Sequence, residues 1–328
     1  MSDVSIIIPN YNKKIFLDDT LQSCLIQGLN IVKEIIIVDD NSTDDSWDIL
    51  QRYQKQHPYL IKIYKNPKKG AASARNFGLS KANGKYIQWL DSDDILGKEK
   101  INIQLDFLKK NDRKLCHCRW VRFNGQIENL FGNYGPSKSI QKTMNPLDLL
   151  CTESNMVALH AWLGEKKLYE EAGGWDEDIS YNDDGEFMYR VIASCEQIGY
   201  VDKAIVYYRS NLKNSLSNLD NDKIESYFKS IESFEKLVLN SMPNPSSAYL
   251  KAISNKYYEF IYLSYNYPSR FRKIAYKKIR KYGSPDISHH VNSSKFKLLY
   301  KLFGWKTVEL LKAIRSSTLK SIFFNKTI

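Results

Sequence analysis

Short apolar runs alternate with helical patterns over the first hundred residues, and this alternation limits the folds that the chain can adopt. The four apolar runs are Val4–Ile8, Glu34–Val38, Leu60–Tyr64 and Tyr86–Leu90. Helical patterns fill the intervals between them, near 15–27, 43–56 and 71–82. Near-continuous apolar strands are typical of parallel sheets that are covered on both faces. The sequence therefore predicts an α/β fold with a mainly parallel sheet flanked by helices.

The second half of the chain predicts further strands and then a helical region. The expected elements are a β-hairpin over 115–130 that turns at Asn124-Gly125, short helices at Glu165–Glu171 and Asp184–Ala193, and a last strand at Tyr200–Tyr208. Beyond Asn211 the pattern is helical, with breaks at prolines and glycines. We therefore predict an α/β domain over 1–215 and a helical C-terminal region over 216–328.

Composition indicates a globular protein of a reducing compartment. Hydrophobic residues make up 43% of 328, which suffices for a core, and no stretch reaches the roughly 20 apolar residues of a membrane span. A strand that begins at Val4 leaves no room for a signal peptide before it. The five cysteines are irregularly spaced, which argues against disulfides and for a cytoplasmic location. Cys116-His117-Cys118 lacks a second ligand pair at zinc spacing, so we expect it to be structural.

Charge is unevenly divided along the chain. The net charge is +11, yet residues 251–328 hold 17 Lys and Arg against 3 Asp and Glu. This region should therefore contact an anionic surface, and the lack of any nucleic-acid-binding motif favours a membrane over nucleic acid. Lys295–Arg315 has a basic side and an aromatic-rich apolar side, as a helix in a membrane interface does. A peripheral location on the inner membrane face would follow, and packing on the α/β domain is the alternative.

Three carboxylates follow the fourth apolar run within four residues, namely Asp91, Asp93 and Asp94. Side chains at the carboxyl ends of parallel strands line the edge where open α/β sheets bind ligands. Clustered negative charges repel one another unless a cation lies among them, and oxygen ligands suit Mg²⁺ or Mn²⁺. The cluster therefore predicts a metal that is shared with substrate phosphates, and a solvated acidic turn is the alternative.

Tyr11 and the pair Asp39-Asp40 follow the first two strands, at the same predicted edge. An exposed tyrosine can stack on a nucleobase while a carboxylate accepts from the base N–H. The alternatives are a packed loop aromatic for Tyr11 and helix capping for Asp39-Asp40. No Gly-x-Gly-x-x-Gly or Walker-type loop is present, which disfavours a dinucleotide oxidoreductase and a P-loop enzyme. A phospho-receiver domain would begin with the strand that comes second here.

Five ordered segments resemble the successive motifs of family 2 glycosyltransferases: Val4–Asn12, Glu34–Ser46, Gly70–Asp94, Gly173–Arg190 and Tyr207–Ser217. The resemblance implies a GT-A fold and transfer of a sugar, with inversion, from a nucleotide donor, usually a UDP-sugar. The implied acceptor is a glycan or a lipid-linked glycan of a surface polysaccharide. The alternatives are a non-catalytic protein that binds nucleotide sugars or glycans, and a nucleotidyltransferase that makes sugar nucleotides.

The resemblance also implies roles for the residues that bind the donor. Tyr11 would stack on the uracil, Asp40 would bind its N–H, and Pro9 and Asp39 would line the base and ribose pocket. The residues implied to shape the nucleotide and phosphate pocket are Gly70, Arg75, Asn76, Arg209 and Ser215–Ser217. Arg75 would either contact the phosphates or hold the acidic loop in place.

The implied catalytic residues are all acidic. Asp91 and Asp93 match the family's Asp-x-Asp element, with Asp93 as the ligand of Mn²⁺ or Mg²⁺ and Asp94 as the acid that follows. Asp184 falls at the catalytic-base position, where Asp183 replaces the commoner Glu. Direct displacement needs a base on the acceptor hydroxyl, and a metal stabilises the leaving diphosphate. An acid that only stabilises a helix N-terminus is the alternative for Asp184.

The sequence leaves two interpretations for each of three further side chains. Trp162 and Trp175 could stack on a sugar face or pack in the core. His160 falls where relatives make donor or acceptor contacts, and a packed or surface histidine is the alternative.

Overall fold

A computed structural model of the chain describes residues 3–28, 30–124, 145–151, 157–210, 219–264, 267 and 270–286. Three predicted features lie outside these described residues: the second arm of the hairpin at 125–130, Ser215–Ser217, and the amphipathic segment Lys295–Arg315. Within the described ranges, no helix has the length and apolar character that crossing a bilayer requires.

Strands and helices alternate along the first half of the chain, as the sequence predicts. The strands are β1 (Val4–Asn10), β2 (Val32–Asp39), β3 (Ile61–Lys65), β4 (Tyr86–Trp89), β5 (Ile95–Leu96), β6 (Leu115–Phe123), β7 (Trp162–Glu165) and β8 (Gly199–Arg209). The helices are α1 (Leu17–Leu25), α2 (Ser46–Gln56), α3 (Ala71–Lys81), α4 (Lys100–Asn111), α5 (Pro146–Cys151), α6 (Lys166–Glu171), α7 (Asp183–Ala193), α8 (Ile224–Ser241), α9 (Ser247–Leu263) and α10 (Phe271–Tyr282). A 3₁₀ turn at Leu159–Ala161 precedes β7.

The described strands form one sheet in the order β3-β2-β1-β4-β7-β6-β8-β5. The first four of these strands are mutually parallel. β7 runs antiparallel to both β4 and β6, and β5 runs antiparallel to β8, whereas β6 and β8 are parallel. The structure thus confirms a mostly parallel sheet flanked by helices.

The side chains of β1 alternate between the two faces of the sheet, and each face has its own apolar core. Ile6 and Ile8 are buried in one core with residues of α1 and α2, whereas Ile7 is buried in the other with residues of α3. Helix α3 lies very close to β1, because a Cβ on Gly78 would come within 2.5 Å of the Ile7 side chain. This close packing fixes the helix that carries Arg75 against the strand that leads to Tyr11.

The start of α2 differs from the sequence-based expectation. The helical pattern near 43–56 places the start at residue 43, but the helix begins only at Ser46, after Asp45. The Ser42 hydroxyl donates to Asp39 Oδ1 over 2.5 Å and thus holds the loop that follows β2.

The chain divides into two compact units, Met1–Ser241 and Met242–Ile328. Helix α8 belongs to the first unit and packs on α7, and α9 packs on α10 within the second. The domain boundary predicted near residue 215 falls at 211–218, outside the described residues, and stays a prediction.

Candidate active site

Three loops meet at the carboxyl edge of β2, β1 and β4, which are neighbours in the sheet. They carry Asp39-Asp40, Pro9 to Asn12, and Asp91 to Asp94 respectively, so the edge predicted from sequence is formed. Asn10 joins the first two loops by donating from Nδ2 to Asp39 Oδ1 over 2.8 Å. Asn12, at a left-handed φ of 52°, accepts the Thr43 N–H at Oδ1 over 2.7 Å.

The predicted base-binding residues divide into exposed and buried side chains. Tyr11 is 50% exposed, which leaves its ring available for stacking, and Pro9 is half-buried beside it. Asp39 is fully buried and accepts hydrogen bonds from Lys65, Ser42 and Asn10. Burial alone would raise the pKa of Asp39, but these donors outweigh it and hold the pKa below its usual value. The buried carboxylate of Asp39 thus links β1, β3 and the loop that follows β2.

Asp40 positions the start of α3. Its Oδ2 accepts the Gly70 N–H over 2.9 Å, and its Oδ1 accepts from Asn66 Nδ2 over 2.7 Å. Gly70 has a φ of 108°, a conformation that other residues rarely adopt, and it directly precedes the helix. The predicted pocket residues Asp40 and Gly70 are therefore direct neighbours.

Asp93, the predicted metal ligand, already has a cation beside it. The Lys13 ammonium lies 2.6 Å from Asp93 Oδ2. Burial and the nearby Asp91 raise the pKa of Asp93, and Lys13 opposes the shift. Sequence reasoning did not identify Lys13, because the two residues are 80 positions apart.

A second group of ligand atoms lies at the same edge. Atoms of Asp91, Asp94 and His160 lie within 4.8 Å of one another. Asp94 Oδ2 and His160 Nδ1 are buried and lie 3.2 Å apart, and among the described residues no other group bonds these two atoms or His160 Nε2. Burial, together with Asp93 and Asp91, raises the pKa of Asp94 well above its usual value, and burial lowers the pKa of His160 to about 4. Two carboxylates and a neutral imidazole are ligand types that fit a divalent cation such as Mn²⁺.

Arg75 links the acidic loop to α7. Its side chain is buried, and Nη2 lies 2.9 Å from Asp91 Oδ1. Its Nη1 lies 3.1 Å from Asp183 Oδ2 and 3.2 Å from Asp184 Oδ1. Of the two roles that the resemblance implied for Arg75, the contacts match the one of holding the acidic loop.

Arg209, at the end of β8, holds the backbone of the same loop. Its N–H donates to Asp94 Oδ1 over 2.6 Å, and its Nε donates to the Asp93 carbonyl over 2.8 Å. The guanidinium lies between the rings of Phe16 and Phe123, at 4.7 and 4.5 Å. Arg209 is therefore buried under the acidic edge, and its contacts fix the loop.

Asp184, the candidate base, lies in the first turn of α7 and is 36% exposed. Desolvation is the largest influence and raises the pKa of Asp184, and Arg75 opposes it. Asp183 and Asp91 raise it further, while a hydrogen bond from Trp175 lowers it, and the pKa settles at about 7. A carboxylate with a pKa near neutrality is suited to accept a proton from a hydroxyl.

The two tryptophans considered for sugar stacking are core residues. Trp162 is 1% exposed and Trp175 is 3% exposed. The Trp175 ring stacks on Phe187 with centroids 3.7 Å apart. Neither ring has an open face for a sugar, so the stacking role was wrong. Trp175 instead donates from Nε1 to Asp184 Oδ1 over 3.1 Å.

Asn76, which the resemblance places in the nucleotide pocket, bonds the backbone of Trp175. Its side chain accepts the backbone N–H of Trp175 over 2.8 Å and donates to the backbone carbonyl over 2.9 Å. These bonds hold the backbone that leads to α7.

Serines of α8 hold the segment that enters α7. Ser226 Oγ accepts the backbone N–H groups of Ser180 and Tyr181 over 2.7 and 3.0 Å. Ser230 Oγ accepts from Asn182 Nδ2 over 3.1 Å, and the Ser233 hydroxyl donates to Glu186 over 2.7 Å. Sequence reasoning missed these serines, since hydroxyls at helical spacing give no distinctive pattern.

The chain is similar in sequence to curated glycosyltransferases. WfaP of Escherichia coli, named UDP-Glc:alpha-D-GlcNAc-diphosphoundecaprenol beta-1,3-glucosyltransferase, is 46% identical over 109 residues, which are 33% of this chain and 42% of WfaP. For WfaP and four other curated glycosyltransferases, the match covers only 32–45% of their length.

Solved structures show the same fold. S. aureus TarS 1–349 in complex with UDP-GlcNAc matches with a TM-score of 0.66 at 18% identity, over 86% of this chain and 80% of that chain. GalNAc-T7 with UDP, GalNAc and Mn²⁺ matches with a TM-score of 0.58 at 14% identity, over 91% of this chain and 57% of that chain. The family model described as glycosyl transferase family 2 matches residues 5–173. More than half of the chain thus matches the model, and the protein belongs to glycosyl transferase family 2 and has the GT-A fold of its structural neighbours.

Proposed function

We propose that this protein transfers a sugar from a UDP-sugar, with inversion at the anomeric carbon, to a lipid-linked glycan of a surface polysaccharide. The observation that carries the proposal is Arg75, which contacts both Asp91 at the acidic edge and Asp184 at the start of α7. The buried guanidinium of Arg75 thereby connects the edge that would bind the metal to the residue that would act as the base.

The donor is assigned to the carboxyl edge of β2, β1 and β4. Tyr11 stacks on the base, and Asp40, with Gly70 beside it, binds the base N–H and shapes the nucleotide pocket. The GT-A relative TarS was crystallised with UDP-GlcNAc, and the name of WfaP gives UDP-Glc as its donor. These names support UDP as the nucleotide.

A divalent cation, Mn²⁺ or Mg²⁺, is assigned to the acidic edge, where it supplies positive charge for the departing diphosphate. Asp93 is the ligand implied by the Asp-x-Asp match, and Asp91, Asp94 and His160 offer further ligand atoms within 4.8 Å of one another. The Mn²⁺ in the GalNAc-T7 structure supports a metal in this fold. A cation would also stabilise the buried carboxylates, since burial and the repulsion from Asp93 and Asp91 raise the pKa of Asp94.

Asp184 takes the proton from the acceptor hydroxyl as that oxygen attacks the anomeric carbon. The hydroxyl must approach from the side opposite the nucleotide, which fits a base that lies on α7 and is separated from the acidic loop by Arg75. The base then carries the proton away while the bond to the diphosphate breaks. This direct displacement gives inversion.

The test is a transfer assay with a panel of UDP-sugars and an undecaprenyl-diphosphate-linked acceptor, in the presence of Mn²⁺. Wild type should transfer a sugar, and Asp184→Asn should lose about 10²–10⁴-fold in kcat with donor affinity retained. Asp178→Asn is the matched control, because this aspartate is exposed and lies outside the site. Donor binding without transfer or hydrolysis by wild type would favour the non-catalytic alternative, and formation of UDP-sugar from UTP would favour the nucleotidyltransferase.

An anionic membrane surface is proposed as the partner of residues 251–328, with the enzyme peripheral on the cytoplasmic face. Helix α10 supports this, because four of its basic residues are exposed along one side: Lys273, Lys277, Arg280 and Lys281. Ile274 is exposed on the same side and could enter the headgroup layer. A lipid-linked acceptor, such as the one in the name of WfaP, would be presented at that surface.

Liposome co-sedimentation tests the membrane partner. Reversing Lys273, Lys277 and Arg280 to Glu should weaken binding to phosphatidylglycerol vesicles on the order of 100-fold, since each basic residue contributes about 1 kcal/mol. Reversing the exposed Lys33, Lys55 and Lys110 of the first unit is the control. Binding that does not depend on phosphatidylglycerol, or that is lost equally in both variants, would contradict the assignment.

A further inference from the structure

We propose that Trp175 is a positioning residue that holds Asp184 Oδ1 through its indole N–H and thereby presents Asp184 Oδ2 to the acceptor hydroxyl. The inference rests on the proposed role of Asp184 as the base. The two oxygens of the Asp184 carboxylate then have different roles, and the buried Trp175 contributes to the reaction by orienting them.

Both donors that reach Asp184 contact the same oxygen. Trp175 Nε1 lies 3.1 Å from Oδ1, and Arg75 Nη1 lies 3.2 Å from Oδ1. Within the described part of the chain, no hydrogen bond or ion pair reaches Oδ2. Since the side chain is 36% exposed, Oδ2 is the oxygen that remains open for a proton.

The indole is held by two aromatic rings, and the backbone of Trp175 is held by Asn76. The indole stacks on Phe187 with centroids 3.7 Å apart, and the Trp89 ring meets it edge-on at 4.5 Å. The Asn76 side chain bonds both the backbone N–H and the backbone carbonyl of Trp175. A donor fixed in this way can orient a carboxylate without having to be ordered during the reaction.

The residue before Trp175 shows how tightly this segment is placed. Gly174 has a φ of 72°, and a Cβ at this position would come within 2.6 Å of Asn76 Oδ1. Arg190 Nη2 donates to the Gly174 carbonyl over 2.8 Å. The turn that delivers the indole to Asp184 thus requires glycine and is tied to α7.

Replacement of Trp175 by phenylalanine isolates the contribution of the indole N–H. Phenylalanine would fill most of the same space but has no N–H to donate. Because a hydrogen bond to a carboxylate favours its charged form, the indole lowers the pKa of Asp184 relative to a site with Phe.

The decisive experiment is the pH profile of kcat/KM for Trp175→Phe, measured with UDP-sugar, acceptor and Mn²⁺. Loss of the indole donor should move the acid limb of the profile up by about one pH unit and lower kcat roughly ten-fold, with the donor KM unchanged. Trp162→Phe is the matched control, since this tryptophan is equally buried and its indole N–H has no partner among the described residues. Its profile should keep the wild-type limb.

Each outcome separates this inference from the proposed function. An unshifted limb in Trp175→Phe, or equal changes in both Phe variants, would overturn the positioning role and leave Asp184 as the base. A fully active Asp184→Asn would remove the base itself. If Trp175→Phe fails to fold by circular dichroism, Asn76→Ala releases the Trp175 backbone while keeping the ring, and the limb should move in the same direction. An unmoved limb there would equally overturn the inference.

Discussion

The Lys13 ammonium lies 2.6 Å from Asp93 Oδ2, the carboxylate that the sequence predicts to bind a metal. An ammonium and a divalent cation cannot both occupy that position, so metal binding through Asp93 Oδ2 has to displace Lys13. The lysine belongs to the loop after β1, next to the predicted base-stacking Tyr11. Once displaced, its charge is free to face the anionic donor.

Removing the competing charge should therefore favour the metal. In Lys13→Met we expect the half-saturating Mn²⁺ concentration to fall roughly five-fold, because a partly exposed ion pair contributes about 1 kcal/mol. Calorimetric titration of Mn²⁺ into the protein measures this without turnover. Lys14→Met is the control, since Lys14 is on the same loop as Lys13 but pairs with the exposed Asp45, which follows β2. An unchanged Mn²⁺ affinity in Lys13→Met would show that the metal does not use Asp93 Oδ2.

The two candidate ligand sets, Asp93 on one hand and Asp91, Asp94 and His160 on the other, predict different effects of substitution. Asp93→Asn should lower activity by about 10² or more and should weaken Mn²⁺ binding if Asp93 is a ligand. His160→Gln should shift the preference from Mn²⁺ toward Mg²⁺, because imidazole suits the softer ion. Transfer rates across a series of both metals, with EDTA as the blank, measure these effects. Full turnover in EDTA by folded protein would remove the metal from the mechanism.

Activity should depend on pH through Asp184. The base works only when deprotonated, and its pKa of about 7 lies above the ordinary value for an aspartate. The rate should therefore rise with pH through neutrality, with a slope of one on a logarithmic plot, and level off above about pH 8. Single-turnover rates between pH 5.5 and pH 9 at saturating donor check this expectation. A flat profile in that window would show that another group removes the proton.

The contact between α8 and α7 should be measurable as stability. Ser226→Ala removes the acceptor of two partly buried hydrogen bonds, from the N–H groups of Ser180 and Tyr181, which should cost about 1–3 kcal/mol in the free energy of unfolding. Urea denaturation gives this difference. The control is Ser241→Ala on the same helix, where an exposed hydroxyl bonds only its own helix. Equal losses in both variants would mean that the contact to α7 is not the source.

The sequence is sufficient to locate the carboxyl edge of the sheet, because each strand and the polar residues that follow it are adjacent in the chain. Each of the first, second and fourth strands is an apolar run that ends in polar residues, and parallel pairing alone brings Tyr11, Asp40 and Asp93 to one side. Strand β7 has four residues and β5 has two, which is too short for a periodic pattern, so neither was predicted. The hairpin expected from 115 onward supplied one strand, β6, and its described neighbours are β7 and β8 from later in the chain.

The partners of the site residues were beyond sequence reasoning for a different reason. Arg75 contacts Asp183 across 108 positions, and Lys13 contacts Asp93 across 80, so no spacing rule connects them. Tryptophan is a residue type that often stacks on sugars, but the ring of Trp175 is buried. Only the structure shows that its indole nitrogen donates to Asp184. The residue types were visible in the sequence, whereas their contacts depend on the folded packing.

The serines of α8 bear on how members of this family could be recombined. A chimaera joined near residue 215, where the family resemblance ends, would keep Ser180, Asn182 and Glu186 but receive a foreign helix in place of Ser226, Ser230 and Ser233. Its α7 would lose the acceptors that fix the turn before Asp184. A junction after Ser241 would keep α8 together with α7, so exchange of the region that follows is better attempted there.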